Sequence, residues 1–219
     1  MPKDRPFPVE FQLASAKSPA YTVSNIKESL RCKHMNGEST GLRTALIREA
    51  LSLLEEGTTD LSLRRIARMA RVSAMAPYRH FADKTALLRA VADHGFDLLR
   101  DTLEAADRSP GNAEALIAQG IAYVAFALRR PALFRLMFAD HHPPDPCDHG
   151  DCRAAAYAVL SRRAARVTSN DGDVATLACW AIVHGLATLA LDGRLSSDSE
   201  QIRSVLTLFV SSLETRQRS

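Results

Sequence analysis

The sequence predicts an all-α protein of about nine helices. Two observations carry that prediction. Apolar residues recur at three- and four-residue spacing from residue 41 almost to the C-terminus. No stretch shows the sustained two-residue alternation, bounded by hairpin turns, that a half-buried strand requires. The chain has 219 residues, enough for one large or two small domains with a real core.

Taken in order, Leu42, Ala45, Leu46, Ala50, Leu53 and Leu54 form the stripe of a first helix, which Gly57 ends. Leu63, Ile66, Ala67 and Ala70 form a second, opened by Asp60 or Ser62 as its cap. Ser73 is expected to cap a short third helix. Pro77 would be its fourth residue, forfeiting the bond to the Ser73 carbonyl. Asp83 caps a fourth, whose stripe includes Leu87, Leu88, Val91, Leu98, Leu99 and Leu103. Pro110 is expected at the start of a fifth, running through Ile117, Ile121, Val124 and Leu128. Pro131 opens a short sixth, "ALFRLMF". After the polar break "DHHPPDPCDHGD", three more helices are expected at about 152–168, 173–191 and 198–215.

Residues 1–38 are proline-rich and lack periodicity, so they are read as a mostly disordered tail, with Met35 a candidate true start. Composition is that of an ordinary soluble protein, 24% charged and 46% hydrophobic. No uninterrupted run reaches the ~18 apolar residues of a membrane span, and the charged N-terminus has no secretory apolar core. The expectation is a cytoplasmic protein without a membrane partner. Four cysteines in a chain this long do not make a disulfide framework.

The net charge of +3 says little, but its distribution is informative. Arg64, Arg65, Arg68, Arg71, Arg79 and Lys84 fall within residues 61–84 against one acid, Asp83. Such a patch suits either a polyanion partner or a solvated helix face. It coincides with two short helices separated by a few residues, the pattern of a helix-turn-helix. In that motif the second helix enters the major groove with its N-terminal residues toward the bases. Tyr78, His80 and Lys84 can donate to phosphate oxygens. Phe81 is expected in the core, Arg68 in solvent; Tyr78 suits packing as well as contact, and His80 suits closing the turn.

The segment "LSLRRIARMARVSAMAPYRHFADKTALLRAV" resembles the DNA-binding domain of the TetR family of bacterial transcriptional regulators, most specifically in "VSxxxxYRHFxDKxALL". Trp180, His184 and Gly185 in "WAIVHGLATLAL" are similar to the Trp-His-Gly C-terminal domain of one branch of that family. The resemblance implies a helix-turn-helix DNA-binding domain at 39–99, with the motif at about 62–81, and an effector-binding and dimerisation domain at 100–219. It implies a homodimer on a double-stranded DNA operator and a small-molecule effector. Carried onto this chain, Ser62 and Arg64 lie near phosphates at the second helix start. Ser73, Ala74 and Met75 lie at the start of the recognition segment, Ala74 and Met75 toward bases with Arg79 nearby, and Tyr78, His80 and Lys84 hold the backbone. One departure stands out: the family turn usually has glycine where this chain has Arg71, an uncommon residue for a φ above zero.

In the C-terminal half, Tyr123, Phe126, Phe134, Met137, Phe138 and Tyr157 supply aromatic and soft side chains for either core or an effector pocket. Trp180 and His184, four apart, share a helix face, so His184 is read as an effector contact or a satisfied buried histidine. Gly185 is expected to allow a close helix approach. The last two helices carry wide apolar faces (Val174, Leu177, Ala181, Ala187, Leu191; Ile202, Val205, Leu206, Phe209, Leu213) that suit a four-helix dimer interface. His141, His142, Cys147, His149 and Cys152 tempt a metal or thiol reading, but their spacing matches no standard zinc pattern, so a surface loop is expected with no metal and no cofactor. No metal box, phosphate loop or nucleophile elbow appears, so no enzyme is expected. The reading is a repressor released by its effector, with an activator or a metal- or thiol-sensing regulator of the same fold as alternatives.

Overall fold

The structure, a computed structural model, describes residues 37–58, 61–139, 150–168, 172–195 and 198–216. The expected tail and most of the His/Cys loop lie outside the described residues. Eight α-helices and one 3₁₀ turn follow in order: α1 (Gly37–Glu55), α2 (Leu63–Met69), the 3₁₀ turn (Pro77–Arg79), α3 (Lys84–Ala106), α4 (Asn112–Arg129), α5 (Pro131–Met137), α6 (Gly150–Val167), α7 (Gly172–Leu191) and α8 (Ser199–Arg216). There is no strand among the described residues.

The first stripe folds as expected. Leu46, Ala50 and Leu53 of α1 are fully buried, and burying each leucine contributes about 1.5–3 kcal/mol. They pack on Leu63 and Ile66 of α2 and on Leu87 and Val91 of α3 in one hydrophobic core. Three helices end in the same hydrogen-bonded closure. After α1, Thr58 N–H donates to the Leu53 carbonyl and Gly57 N–H to Leu54; after α2, Val72 donates to Ala67 and Arg71 to Arg68; after α7, Arg194 donates to Leu189 and Gly193 to Ala190. This Schellman pattern needs a left-handed residue at the penultimate donor. That residue is Gly57 (φ 74°), Arg71 (φ 56°) and Gly193 (φ 66°) respectively.

Two expectations are corrected. The third helix is not an α-helix capped by Ser73. The Ser73 carbonyl accepts from Ala76 N–H at 2.9 Å, closing a turn, and Pro77 then opens the 3₁₀ turn at its first position. Pro77 has no N–H and cannot supply the α-helical bond, so the chain tightens instead, and no carbonyl is left waiting for it. Pro110 likewise precedes α4 rather than starting it: Gly111, at φ 99°, is the cap residue and α4 begins at Asn112.

α3 runs unbroken across residue 99 and packs against α1, α4, α5 and α6. α7 is long and apolar enough, by length and composition, to cross a membrane, which a count of uninterrupted apolar residues misses. In the fold it packs against α4 and α6. Its apolar residues divide: Ala175, Cys179, Val183, Leu186 and Ala187 are buried, whereas Val174, Leu177 and Leu189 are exposed. The wide face of α8 divides in the same way, with Ile202, Leu206 and Val210 buried and Val205 and Leu208 exposed.

Two glycines set the close approaches. A Cβ at Gly95 of α3 would stand 2.7 Å from the Met137 sulfur of α5, and one at Gly120 of α4 would stand 2.8 Å from Leu206 Cδ1 of α8. A buried polar joint fixes the α3–α4 corner. Arg163 of α6 donates to the Asp107 carboxylate (2.7 Å), to the Asp107 carbonyl (3.0 Å) and to Asn112 Oδ1 (2.9 Å), and Gln119 Nε2 donates to the same carboxylate at 2.8 Å.

Candidate nucleic-acid interface and effector cleft

The first candidate site is the surface built by residues 62–84. Ser62 caps α2, its hydroxyl accepting from Arg65 N–H at 3.4 Å. Asp83 caps α3, its carboxylate accepting from Ala86 N–H at 2.8 Å, which commits the acid nearest the basic cluster to its own helix. Between the caps, burial alternates with exposure in a way that presents a few side chains outward. Pro77 and Phe81 are buried. The Pro77 carbonyl accepts from both His80 and Phe81 N–H at 2.9 Å, tying down the intervening backbone. The Arg43 guanidinium of α1 lies over the Phe81 ring at 5.4 Å. Held between those two pins, Tyr78 is 43% exposed and Arg79 is exposed.

The turn ahead of them presents Ser73, Ala74 and Met75 to solvent, Met75 at 68%. Arg64, Arg68, Arg71 and Lys84 are exposed as well; Ser62 and His80 are half-buried. Every residue expected to touch nucleic acid is therefore at least partly accessible. Phe81 is core and Arg68 is in solvent, as their surroundings in sequence implied. A methionine this exposed, with Arg71 and Arg79 four residues to either side, is an apolar surface not buried by the described residues, and thymine methyl groups in the major groove are one chemistry that would meet it.

The second candidate site centres on His184 of α7. Tyr123 O–H of α4 lies 3.0 Å from His184 Nδ1. Phe134 stacks at 5.5 Å from the imidazole, Phe138 stands edge-on at 4.6 Å and Trp180 tilts at 5.8 Å. Tyr157, on α6, meets Trp180 edge-on at 6.2 Å. Burial raises the Tyr123 phenol above its ordinary range and lowers the His184 imidazole below its own. Both groups are thus neutral near pH 7. The tautomer follows from satisfaction. If Nδ1–H donated to the phenol, the buried Tyr123 proton would have no acceptor among the described residues, a loss of about 1–3 kcal/mol. Tyr123 therefore donates to Nδ1, and the imidazole proton sits on Nε2.

A cleft of about 210 Å³ opens beside this cluster, lined by Phe134, Arg135, Phe138, His184, Thr188, Leu191 and Asp192. Of the residues expected at an effector pocket, Phe134 and His184 line the cleft. Tyr123 and Trp180 stand behind His184, Tyr157 behind Trp180, and Phe126 and Met137 are buried in the core. Sequence reasoning missed Arg135, Thr188 and Asp192 because polar residues at helix ends read as solvated. His184 proves to be both a bonded histidine and a cleft wall. Gly185 sets no close approach among the described residues, since a Cβ there meets none of them within 4 Å. Cys152 lies half-buried on α6 and Cys179 is buried, its thiol pushed up to about 11 by burial. His141, His142, Cys147 and His149 lie outside the described residues, and no group of three metal-ligating side chains occurs among those described.

Comparison with known proteins matches the two halves of the chain separately. A family profile described as "Bacterial regulatory proteins, tetR family" matches residues 46–91. A second, "Tetracyclin repressor-like, C-terminal domain", matches residues 116–213. Curated proteins gave no match. Among solved structures, the chain is similar to a protein of unknown function from Rhodococcus sp. RHA1, at 30% identity over 84% of this chain and 99% of that one, TM-score 0.70. It shares its fold with a TetR family transcription regulator from Marinobacter aquaeolei VT8 (20% identity, 82% and 98% covered, TM-score 0.59). A bacterial regulatory protein in the tetR family from Rhodococcus RHA1 is alike to a similar degree (20%, 81% and 98%, TM-score 0.54).

Proposed function

The chain belongs to the TetR family of DNA-binding transcription regulators, and from that premise we propose that it is a homodimeric repressor released from its operator by a small molecule. The observation that carries the DNA side is the Tyr78-Arg79 pair held outward between buried Pro77 and Phe81. In this reading the turn at Ser73-Ala74-Met75 enters the major groove, with Ala74 and Met75 against base edges and Arg79 beside them. Ser62, Arg64, Tyr78, His80 and Lys84 fix the backbone on either side.

The exposed apolar residues of α7 and α8 support the dimer. Val174, Leu177, Val205 and Leu208 are exposed, Leu208 at 76%. Pairing these faces across a two-fold axis gives a four-helix interface. It would place two reading elements about 34–36 Å apart, one turn of DNA.

Residues 39–99 would then serve DNA and residues 100–219 the effector and the partner protomer, with the cleft beside His184 as the effector site. Release requires that the effector bind the DNA-incompatible geometry more tightly than the DNA-bound one, and it shifts the equilibrium by no more than that difference. Such a regulator works where the chromosome is, in the cytoplasm, and carries no catalytic step. The test is a gel-shift at low salt with the intergenic DNA beside its own gene, using protein shown by light scattering to be a folded dimer. Retardation, competed by the same duplex and not by an unrelated one, is expected. No retardation refutes the proposal.

A further inference from the structure

We propose that the effector is a compact aromatic carboxylate, its ring seated against Phe134 and Phe138 and its carboxylate taken by Arg135 and His184 Nε2–H. The inference rests on reading the C-terminal half as effector-binding, and it names the ligand class that the cleft beside α5 would take.

Size comes first. A cavity of about 150 Å³ with apolar walls holds a benzene ring. The 210 Å³ here has room for a ring and one small substituent, in a cleft that stays open to solvent. The walls suit a ring. Phe134 and Phe138 stand 4.9 Å apart at 51°, and the imidazole closes the third side at 4.6 Å from Phe138. Aromatic faces and edges at such separations favour a further ring offset or edge-on among them.

The polar groups choose the sign of the charge. Tyr123 occupies His184 Nδ1, so the nitrogen left for a ligand is Nε2, and it carries the proton. The Thr188 hydroxyl gives its proton to the His184 carbonyl at 2.8 Å. Arg135 spends only one nitrogen: Nη2 reaches the Leu191 carbonyl and Asp192 Oδ1, both at a long 3.3 Å. The guanidinium has five N–H donors, and those on Nε and Nη1 have no partner among the described residues. A carboxylate meeting that fork makes short, paired bonds. Asp192 is exposed, so releasing it to water loses little. An ammonium ligand faces the opposite balance. It would have to displace Arg135 from Asp192 while lying beside the guanidinium and a second N–H donor.

The experiment titrates full-length protein with benzoate, benzamide and benzylamine. These share a ring and differ in charge. Binding is read from the emission of Trp180, the only tryptophan, whose ring lies 5.8 Å from His184, and by equilibrium dialysis. Saturable benzoate binding at least tenfold tighter than benzamide is expected, with benzylamine weaker still. Arg135→Gln, at an exposed position, is expected to bring benzoate down to the benzamide level. Three results overturn the assignment: no saturable benzoate binding in the dialysis, benzamide or benzylamine binding as tightly as benzoate, or an Arg135→Gln protein that keeps the preference. A gel-shift on the same ligand-free preparation separates the two readings. DNA retardation without benzoate binding sinks the ligand class alone, whereas absent retardation sinks the regulator reading.

Discussion

Replacing Arg71 with glycine is expected to stabilise the protein. Arg71 sits at φ 56° in a helix closure whose two counterparts in this chain, Gly57 and Gly193, are glycine. A residue with a Cβ in the left-handed region loses about 1–2 kcal/mol to the clash with its own carbonyl. Glycine removes that strain but frees the unfolded chain, which returns about 0.4–1 kcal/mol. The net gain is about 0.5–1 kcal/mol, or about 1–4 °C in Tm for a chain of this size. Urea titration reads it as a higher midpoint at unchanged slope. Gly57→Ala and Gly193→Ala are the mirror experiments and should each lose about 1 kcal/mol. If Arg71→Gly is neutral or destabilising while both mirror variants lose stability, the strain argument is refuted. The same variant also asks what the arginine does. Arg71 is exposed within the basic segment, so it is a candidate phosphate contact. Its removal should then lower the slope of log K against log salt by about 0.9 for each protomer. An unchanged slope with raised stability would remove Arg71 from the DNA contacts and leave the backbone argument standing.

Other perturbations follow from the same geometry. Pro77→Ala should keep DNA affinity within about tenfold, because the buried ring supports the turn without touching DNA, whereas Tyr78→Ala should lose more; fluorescence anisotropy giving the reverse ranking overturns this. His184 is held below its ordinary pKa by burial, so the unfolded chain takes up its proton first as pH falls. Its contribution is complete above about pH 6.5 and declines below that, toward the folded pKa, so His184→Asn should flatten melting temperature against pH between about 5 and 7. Equal profiles would refute the assignment. Arg163→Met should lose roughly 2–3 kcal/mol by chemical denaturation, less than for a wholly buried pair because Asp107 keeps some water and the Gln119 donor. Leu208→Glu, on the exposed face of α8, should leave the monomer folded but shift light scattering toward monomer and weaken operator binding; an unchanged dimer removes α8 from the interface.

Local signals in the sequence carried far. Helical spacing, Gly57 as a stop and Ser62 and Asp83 as caps locate α1, α2 and α3, because each depends on residues within one or two turns. The "VSAMAPYRHF" segment was legible as a reading element but not as a shape. Ser73 promised an α-helix, and Pro77 forbade it from within the first turn, so the chain made a turn and a 3₁₀ segment instead. The effector side was less legible because its contacts are distant in sequence. Tyr123 meets His184 across 61 residues, and Arg163 meets Asp107 across 56. Glycines misled for a related reason. Gly185 stands in a motif yet a Cβ there would meet no described residue, while Gly95 and Gly120, unremarkable in sequence, sit where a neighbouring side chain leaves no room for one.

Those close approaches bear on how the two candidate sites would communicate under the proposed function. α5 packs against α3, α1 and α4, and its C-terminal end reaches the cleft. Phe134 and Phe138 at its end wall the cleft. Leu133 and Met137, one turn apart on its buried face, press against Gly95 of α3, where no side chain intervenes to absorb a shift. Arg130, just before α5, holds Glu55 at the end of α1 at 2.7 Å. A ligand that drew Arg135 off Asp192 would loosen α5 from the end of α7, leaving it packed on α3, α1 and α4. Because the contact at Gly95 is close, a displacement of α5 would be passed to α3 rather than dissipated. α3 begins at Lys84, with three residues separating it from the Tyr78-Arg79-His80 run, so a movement of its N-terminal end would shift that run as well. If the cleft takes the effector, the coupling would need no long chain of contacts, only one short helix between the cleft and Gly95.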